Sequence, residues 1–179
     1  CDDNKPLTPF TLAPCGDGAY SLLGGSWAGT LSWWFTAWST PATLNSAETE
    51  AVLLRSFANI TDARNDCGLA DEVGATAQYL GQTGLKPGVT RRGRCAASDG
   101  QSVIGFGRLP WGTLAVTCVQ YEGDYIVEAD IRINKRLAWA LSIDACSYEE
   151  MLEPTMTHEI GHAYGLGHVG ERRHGRLTM

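Results

Sequence analysis

The sequence predicts an α+β domain: a twisted mixed sheet of about five strands, a helix that backs the sheet, and a second helix near the carboxyl end. Several short runs rich in β-branched and aromatic residues are separated by Gly, Pro and Asp turns, as expected for strands. One stretch repeats apolar residues at helical spacing, and another places two histidines four residues apart. A length of 179 residues fits one domain with its own hydrophobic core.

The chain begins with an irregular segment over residues 1–26, where prolines, glycines and polar residues are frequent. A strand is predicted at Leu31–Trp38, because apolar residues alternate along it with aromatic side chains among them. Trp34 and Trp38 fall on the second face of this strand. Their positions indicate a sheet that is covered on both sides; a platform for stacking a ligand is the alternative.

An amphipathic helix is predicted over about residues 46–60, with Asn45 or Ser46 as its N-cap and Glu48 in its first turn. We expect this helix to pack across the sheet. Residues 61–100 are rich in Gly, Asp and Arg and contain one short strand near Thr76–Leu80. Three further strands are separated by turns: Val103–Phe106, Thr113–Tyr121 and Tyr125–Asn134.

The last predicted helix carries the most specific pattern of the chain, H-E-x-x-H-x-x-G-x-x-H over residues 158–168. Residues four apart lie on one helix face, so His158 and His162 can direct both imidazoles at one metal ion. Gly165 tolerates the positive φ that ends a helix sharply. The chain can then turn and bring His168 back as a third ligand.

Three nitrogen ligands leave the fourth position of a tetrahedral zinc ion open, which is typical of a catalytic site. Glu159 lies about 100° further round the helix, where it can act as a general base on a water without ligating the metal. The alternative is a pair of surface histidines on an ordinary amphipathic helix. The helix begins near Tyr148 or near Pro154, since proline suits a first turn. His174, the remaining histidine, is expected in a solvated loop.

Composition and charge narrow the class of protein. A net charge of −6 without a cluster of Lys and Arg argues against a nucleic-acid partner. No apolar run approaches the roughly 20 residues that span a bilayer, so we expect no membrane span. No signal peptide is present, and the chain therefore resembles a mature, processed form.

Six dispersed cysteines, without any C-x-x-C pair, predict three disulfides and an oxidising compartment. Sequence alone leaves their connectivity open. Sequential pairing is favoured because each bridge then closes a loop of modest length: Cys1–Cys15, Cys67–Cys95 and Cys118–Cys146. A lipid-modified Cys1 is the alternative for the first residue, and it would leave one thiol unpaired.

The histidine pattern resembles the signature of the metzincin zinc endopeptidases. Within that group, further stretches resemble successive strands of matrixin-like secreted bacterial peptidases, so the likeness extends from about residue 27 to the end: Ser102–Gly107, Gly112–Thr117 and Ile126–Asn134. Metzincins carry a methionine turn after the third histidine. The one candidate is Leu177-Thr178-Met179, at a longer distance from His168 than is usual in matrixins. Because the chain stops at this methionine, we expect the natural polypeptide to extend further.

The resemblance implies that residues 1–179 form one metzincin-type catalytic domain, with an antiparallel edge strand above the metal cleft. An extended polypeptide could add to that edge as one more strand. The implied edge residues are Gly112, Thr113, Leu114, Ala115, Val116 and Thr117. Met179 would lie beneath the metal as an apolar floor. Matrixins often bind calcium, so Ca²⁺ held by carboxylates of residues 61–100 is an alternative to plain solvated loop carboxylates.

Taken with the resemblance, these features predict a secreted, monomeric endopeptidase that cleaves extended polypeptides. One Zn²⁺ would be held by His158, His162 and His168, with Glu159 as the general base. Two other functions are considered: an inactive module that captures a peptide without cutting it, and a zinc hydrolase of non-peptide amides. The intact glutamate and histidines favour the enzyme over the first, and the implied edge strand favours it over the second.

Overall fold

A computed structural model describes residues 18–64, 70, 72–142 and 150–169. These residues form a mixed, mostly parallel sheet and two α-helices, which agrees with the predicted α+β class. The strands are β1 (Ser26–Trp27), β2 (Leu31–Phe35), β3 (Ala77–Gln82), β4 (Ser102–Gly107), β5 (Ala115–Glu122), β6 (Tyr125–Asn134), β7 (Trp139–Ala140) and β8 (Glu150–Met151). The helices are α1 (Ser46–Thr61) and α2 (Leu152–Ala163), and a 3-10 turn spans Ala37–Ser39.

The main sheet has the order β1-β6-β4-β2-β3, and all these neighbours pair in parallel. β5 pairs antiparallel with β6, from Ala115 opposite Ile133 to Glu122 opposite Tyr125. β7 and β8 form a separate two-stranded parallel pair. Because the parallel strands run the same way, β2, β4 and β6 bring their carboxyl ends to one edge of the sheet.

Several strand boundaries differ from the sequence prediction. β3 ends two residues later than predicted, and β2 ends at Phe35. β5 begins at Ala115, so the predicted edge residues Gly112, Thr113 and Leu114 precede the strand. Gly112 has a φ of +81°, which places it in the turn before β5.

Trp38 does not lie on the second face of β2, as the alternation had indicated. At Thr36 the chain leaves the strand, and the hydroxyl of Thr36 donates a hydrogen bond to the carbonyl of Leu85 at 2.7 Å. Trp38 then falls in the 3-10 turn and is 60% exposed. Trp34 stays within β2 and is half-buried, and its indole N–H donates to Gln101. Residues other than Trp38 therefore cover the second face of the sheet.

Both helix starts follow from local chemistry. The Asn45 side chain accepts hydrogen bonds from the backbone N–H groups of Ala47 and Glu48, as the predicted N-cap should. α2 begins at Leu152, which puts Pro154 in its first turn, where its missing N–H costs nothing. Of the two starts predicted for this helix, the later one is confirmed.

The hydrophobic core lies between the sheet and the two helices. Along β6 the side chains alternate, and Ala129, Ile131 and Ile133 join this core together with residues of α1 and α2. The alternate residues of β6 therefore face the opposite side of the sheet. That second face is covered by the long connection between β3 and β4, which includes residues 83–101.

One disulfide, Cys95–Cys118, fixes this connection to β5. The Cα atoms are 5.4 Å apart, and Cys118 is buried against Val89 and Leu109. Two predicted bridges, Cys67–Cys95 and Cys118–Cys146, are therefore wrong. Loop length favoured them, but the connection folds back over the sheet and brings Cys95 to β5. The other four cysteines, Cys1, Cys15, Cys67 and Cys146, lie outside the described residues.

Removal of this bridge should destabilise the domain by about 2–4 kcal/mol, because the unfolded chain loses a constraint. The test is the free energy of unfolding in urea for the Cys95→Ala/Cys118→Ala variant. Alanine avoids placing a hydroxyl at the buried Cys118 position. A peptide map of the wild-type protein that linked Cys67 to Cys95 would contradict the assignment.

Two buried carboxylates, Glu128 and Asp130, lie on the second face of the sheet beneath the connection. Burial alone would raise the pKa of Glu128, but hydrogen bonds from Ser98, Asp130 and the backbone of Gly100 and Asp99 outweigh it and lower that pKa. Burial raises the pKa of Asp130 to about 7, and its hydrogen bond to the negative Glu128 adds to the effect. The pair therefore carries one shared proton at mildly acidic pH.

Asp130→Asn should make stability less dependent on pH between about 4.5 and 7. The pKa of Asp130 is higher in the folded protein than in the unfolded chain. Such a group makes its full contribution to stability at pH values below the unfolded-state pKa, and this contribution is lost as the pH rises through the folded-state pKa. The wild type should therefore lose up to about 1.4 kcal/mol per pH unit relative to the variant in this window. Urea unfolding of both metal-free proteins across the window measures the difference. Parallel pH profiles would show that Asp130 is ionised throughout.

Candidate metal centre

The C-terminal half of α2 carries the first two histidines of the motif. His158 and His162 lie one helical turn apart, and their rings meet edge-on with centroids separated by 4.7 Å. The helix ends after Ala163, and Gly165 takes a φ of +88°. This turn returns the chain toward the helix and brings His168 to the other two rings, as the sequence predicted.

The three ring nitrogens converge on one point. The Nε2 atom of His168 lies 2.9 Å from Nε2 of His158 and 2.9 Å from Nε2 of His162. A tetrahedral zinc ion with nitrogen ligands at ~2.0–2.1 Å holds these nitrogens about 3.3 Å apart. The three imidazole rings would therefore need to move apart by only a few tenths of an ångström to accept the ion. Imidazole nitrogen is also a preferred zinc donor. The arrangement fits a zinc ion.

The cluster is open on one side. His158 and His162 are half-buried, and His168 is exposed to solvent. Among the residues that the structure describes, these three form the one group of His, Cys, Asp or Glu side chains placed to share a metal. In the described part of residues 61–100, no group of carboxylates is therefore placed to share a calcium ion. Asp66 and Asp71 of that stretch lie outside it.

A backbone carbonyl orients His162. Its Nδ1–H donates a hydrogen bond to the carbonyl of Leu166 at 2.7 Å, which leaves the Nε2 lone pair for a metal. Burial lowers the pKa of His162, the hydrogen bond to Leu166 opposes this effect, and the nearby charge of His158 adds to it. The net lowering favours the neutral imidazole that metal binding requires.

Glu159 lies beside the three nitrogens but does not belong to the ligand group. It is 7% exposed, and the hydroxyl of Thr117 on β5 lies 2.5 Å from its carboxylate Oε2 and 3.0 Å from its main-chain carbonyl. Burial raises the pKa of Glu159, while the hydrogen bond with Thr117 and the charges of His158 and His168 oppose that rise. A buried carboxylate with a raised pKa is suited to proton transfer.

The segment before β1 holds the turn that carries His168. The backbone N–H of Leu23 donates to the carbonyl of Gly165 at 2.7 Å, and the N–H of Gly167 donates to the carbonyl of Ser21 at 2.8 Å. The indole N–H of Trp27 donates to the carbonyl of Ala163, one of the last carbonyls of α2. The stretch predicted only as irregular thus positions His168, the predicted third ligand.

β5 lies next to the cluster, since its Thr117 contacts Glu159. Thr117 faces α2, whereas Cys118 faces the connection on the other side of the sheet. In the described part of the chain, β5 pairs with no strand other than β6. Backbone hydrogen bonds from its outer edge to other described segments are likewise absent.

The sequence pattern predicted that the three histidines and Glu159 would lie together, but it gave no sign of the groups that orient them. The contact of Thr117 with Glu159 joins residues 42 positions apart, and no local pattern signals it. The group that orients His162 is the backbone carbonyl of Leu166, and a backbone carbonyl cannot be recognised from the residue type. Met179 and His174 lie outside the described residues, so the predicted methionine turn and the fate of the remaining histidine stay predictions.

The chain matches no protein-family model, and it has no significant match among curated proteins. Neither described helix is long and apolar enough to cross a membrane.

Proposed function

We propose that this protein is a secreted, zinc-dependent endopeptidase of the metzincin type, which hydrolyses peptide bonds in extended polypeptides. The proposal rests on one observation above all: three imidazole nitrogens converge beside a buried carboxylate that is not part of the ligand group. A structural zinc site would use a fourth protein ligand instead of leaving one side open. The matrixin-like strand pattern and the antiparallel pairing of β5 with β6 support the same reading.

His158, His162 and His168 would hold the zinc ion through their Nε2 atoms. When bound, zinc would act as a Lewis acid, which polarises a carbonyl and makes a water molecule more acidic. Glu159 accepts the proton of the attacking water on its carboxylate and returns it to the leaving amine. The hydroxyl of Thr117 holds Oε2 of this carboxylate in place during both transfers.

The outer edge of β5 would bind the substrate. Its backbone N–H and C=O groups can pair with an extended peptide as an added strand, which gives affinity without reading most side chains. Because Thr117 lies on this strand and contacts Glu159, a peptide on the edge would pass close to the carboxylate. Of the edge residues predicted from the sequence, Ala115, Val116 and Thr117 belong to the strand.

Incubation with a denatured protein mixture tests the proposal. Zinc-loaded protein should cut it, a chelator should stop cleavage, and one equivalent of zinc should restore it. X-ray absorption should then show nitrogen and oxygen neighbours around the zinc. Sulfur in the first shell would contradict the ligand set. Retention of peptides without cleavage would instead indicate the inactive binding module.

A further inference from the structure

A cavity lies at the edge of the sheet where β2, β4 and β6 reach their carboxyl ends. Its volume is about 880 Å³, within the range of small-molecule sites. The turn after β2, the connection after β3 and the residues following β4 and β6 form its walls. In open sheets with parallel strands, ligands bind preferentially at this edge.

The cavity is separate from the histidine cluster. Arg132, which lines it, alternates along β6 with the core residues Ile131 and Ile133 that pack toward α2. Arg132 therefore belongs to the opposite face of the sheet from the helix that carries His158 and His162. None of the three histidines and neither Glu159 nor Thr117 lines the cavity.

Its lining is strongly basic. Among the residues that the structure describes, the lining of the cavity contains no Asp or Glu and five cations: Lys86, Arg91, Arg108, Arg132 and Lys135. The whole chain has 14 Lys and Arg and a net charge of −6, so more than a third of its cations gather at one site of an acidic protein. A concave site lined by one sign of charge concentrates counter-ions.

Arg132 shows that the cluster is built into the fold. Among the described residues, its buried Nε atom has no hydrogen-bond partner, and its Nη2 donates to the carbonyl of Pro87 at 3.4 Å. Gly107 makes room for it, since a Cβ at that position would collide with the end of the guanidinium group. Burial, and then the like charge of Arg91, lower the pKa of Arg132, whereas Asp130 opposes them. The positive charge here is incompletely balanced by the protein.

Trp38 completes the site as an aromatic wall. Its indole ring is 60% exposed, and the ammonium of Lys86 lies 5.6 Å from the ring centroid. This cation–π contact orients Lys86 within the lining.

We propose that this cavity binds a small anion that carries at least two negative charges on phosphate or carboxylate groups. Charge-assisted hydrogen bonds from guanidinium groups favour these oxygen-rich anions. Such a ligand would balance the clustered cations and could provide the missing acceptor for Arg132. The site does not depend on the proposed peptidase activity.

Isothermal titration of the zinc-loaded protein at low salt, with inorganic phosphate and with succinate, tests the proposal and separates the two chemistries. Acetate is the monovalent comparison. At least one divalent anion should bind at sub-millimolar to millimolar concentration and more weakly as salt increases, whereas acetate should not. The metal-free protein should give the same affinity, which excludes binding at the histidines.

Two double variants with the same change of net charge locate the binding. Arg91→Gln/Arg108→Gln removes two lining cations, and affinity should fall about tenfold or more. Arg92→Gln/Arg94→Gln removes two exposed arginines outside the lining and should stay within about twofold of wild type. Gly107→Ala should also weaken binding, since it displaces the guanidinium of Arg132.

Thermal unfolding checks that each variant is folded. Equal losses in the two double variants would overturn the site, because binding would then follow overall charge. Absence of phosphate and succinate binding to the wild type would overturn it as well, even if an acidic polypeptide bound.

Discussion

Replacement of Glu159 by Gln should reduce peptide cleavage by about 10²–10⁴-fold, the usual contribution of a general base. The carboxylate lies beside the three histidines without joining the ligand group, so its loss should remove proton transfer and leave the metal in place. Glutamine keeps the shape of the side chain and can still accept a hydrogen bond from Thr117. Cleavage rates with a fluorogenic peptide, together with zinc content, measure both parts of the prediction.

Glu153→Gln is the matched control, because Glu153 lies on the same helix but faces α1. Its carboxylate accepts hydrogen bonds from Arg55 and Asn59. Loss of this partly exposed ion pair should cost at most about 1 kcal/mol of stability and leave activity unchanged. If Glu159→Gln lost its zinc, the carboxylate would be a ligand and the assigned role would be wrong.

Local patterns predicted the elements of this fold well. The turn that precedes the strand Tyr125–Asn134 and the capping residue Asn45 are features that depend on neighbouring residues alone. The histidine motif belongs to the same class, because helical spacing places His158 and His162 and a glycine turn returns His168. In each case the sequence separation is short, so the geometry of one helix or one turn brings the residues near one another. The hydrogen bonds with residues 21–23 then hold the turn before His168 in place.

Contacts between distant segments escaped prediction. The disulfide partner of Cys118 depends on how residues 83–101 fold over the sheet, and loop length gave no guide to it. Trp38 lies outside the predicted strand because the strand ends before Thr36, whose hydroxyl donates a hydrogen bond to the carbonyl of Leu85 on another segment. The cations that line the basic cavity are dispersed in the sequence from residue 86 to residue 135, so no local sequence pattern predicts the cavity.

Gly165→Ala should disrupt the proposed metal centre. Two penalties combine at this position. A φ of +88° is strained for alanine, and a Cβ there would lie 2.6 Å from the main-chain carbonyl oxygen of Gly25. Because that oxygen belongs to the backbone, it cannot swing aside as a side chain would. The turn from Tyr164 to His168 must shift instead.

The shift should move His168 away from the other two nitrogens, and the affinity for zinc should fall by about 10–100-fold, as for other disturbances of ligand support. Competition with a chromophoric chelator measures the affinity, and urea unfolding measures the cost in stability. Gly81→Ala is the matched control, since Gly81 has a φ of +106° but no heavy atom within 4 Å of an added Cβ. It shares the backbone strain without the collision. If both variants bound zinc as tightly as the wild type, the contact between residues 21–25 and the turn would not position His168.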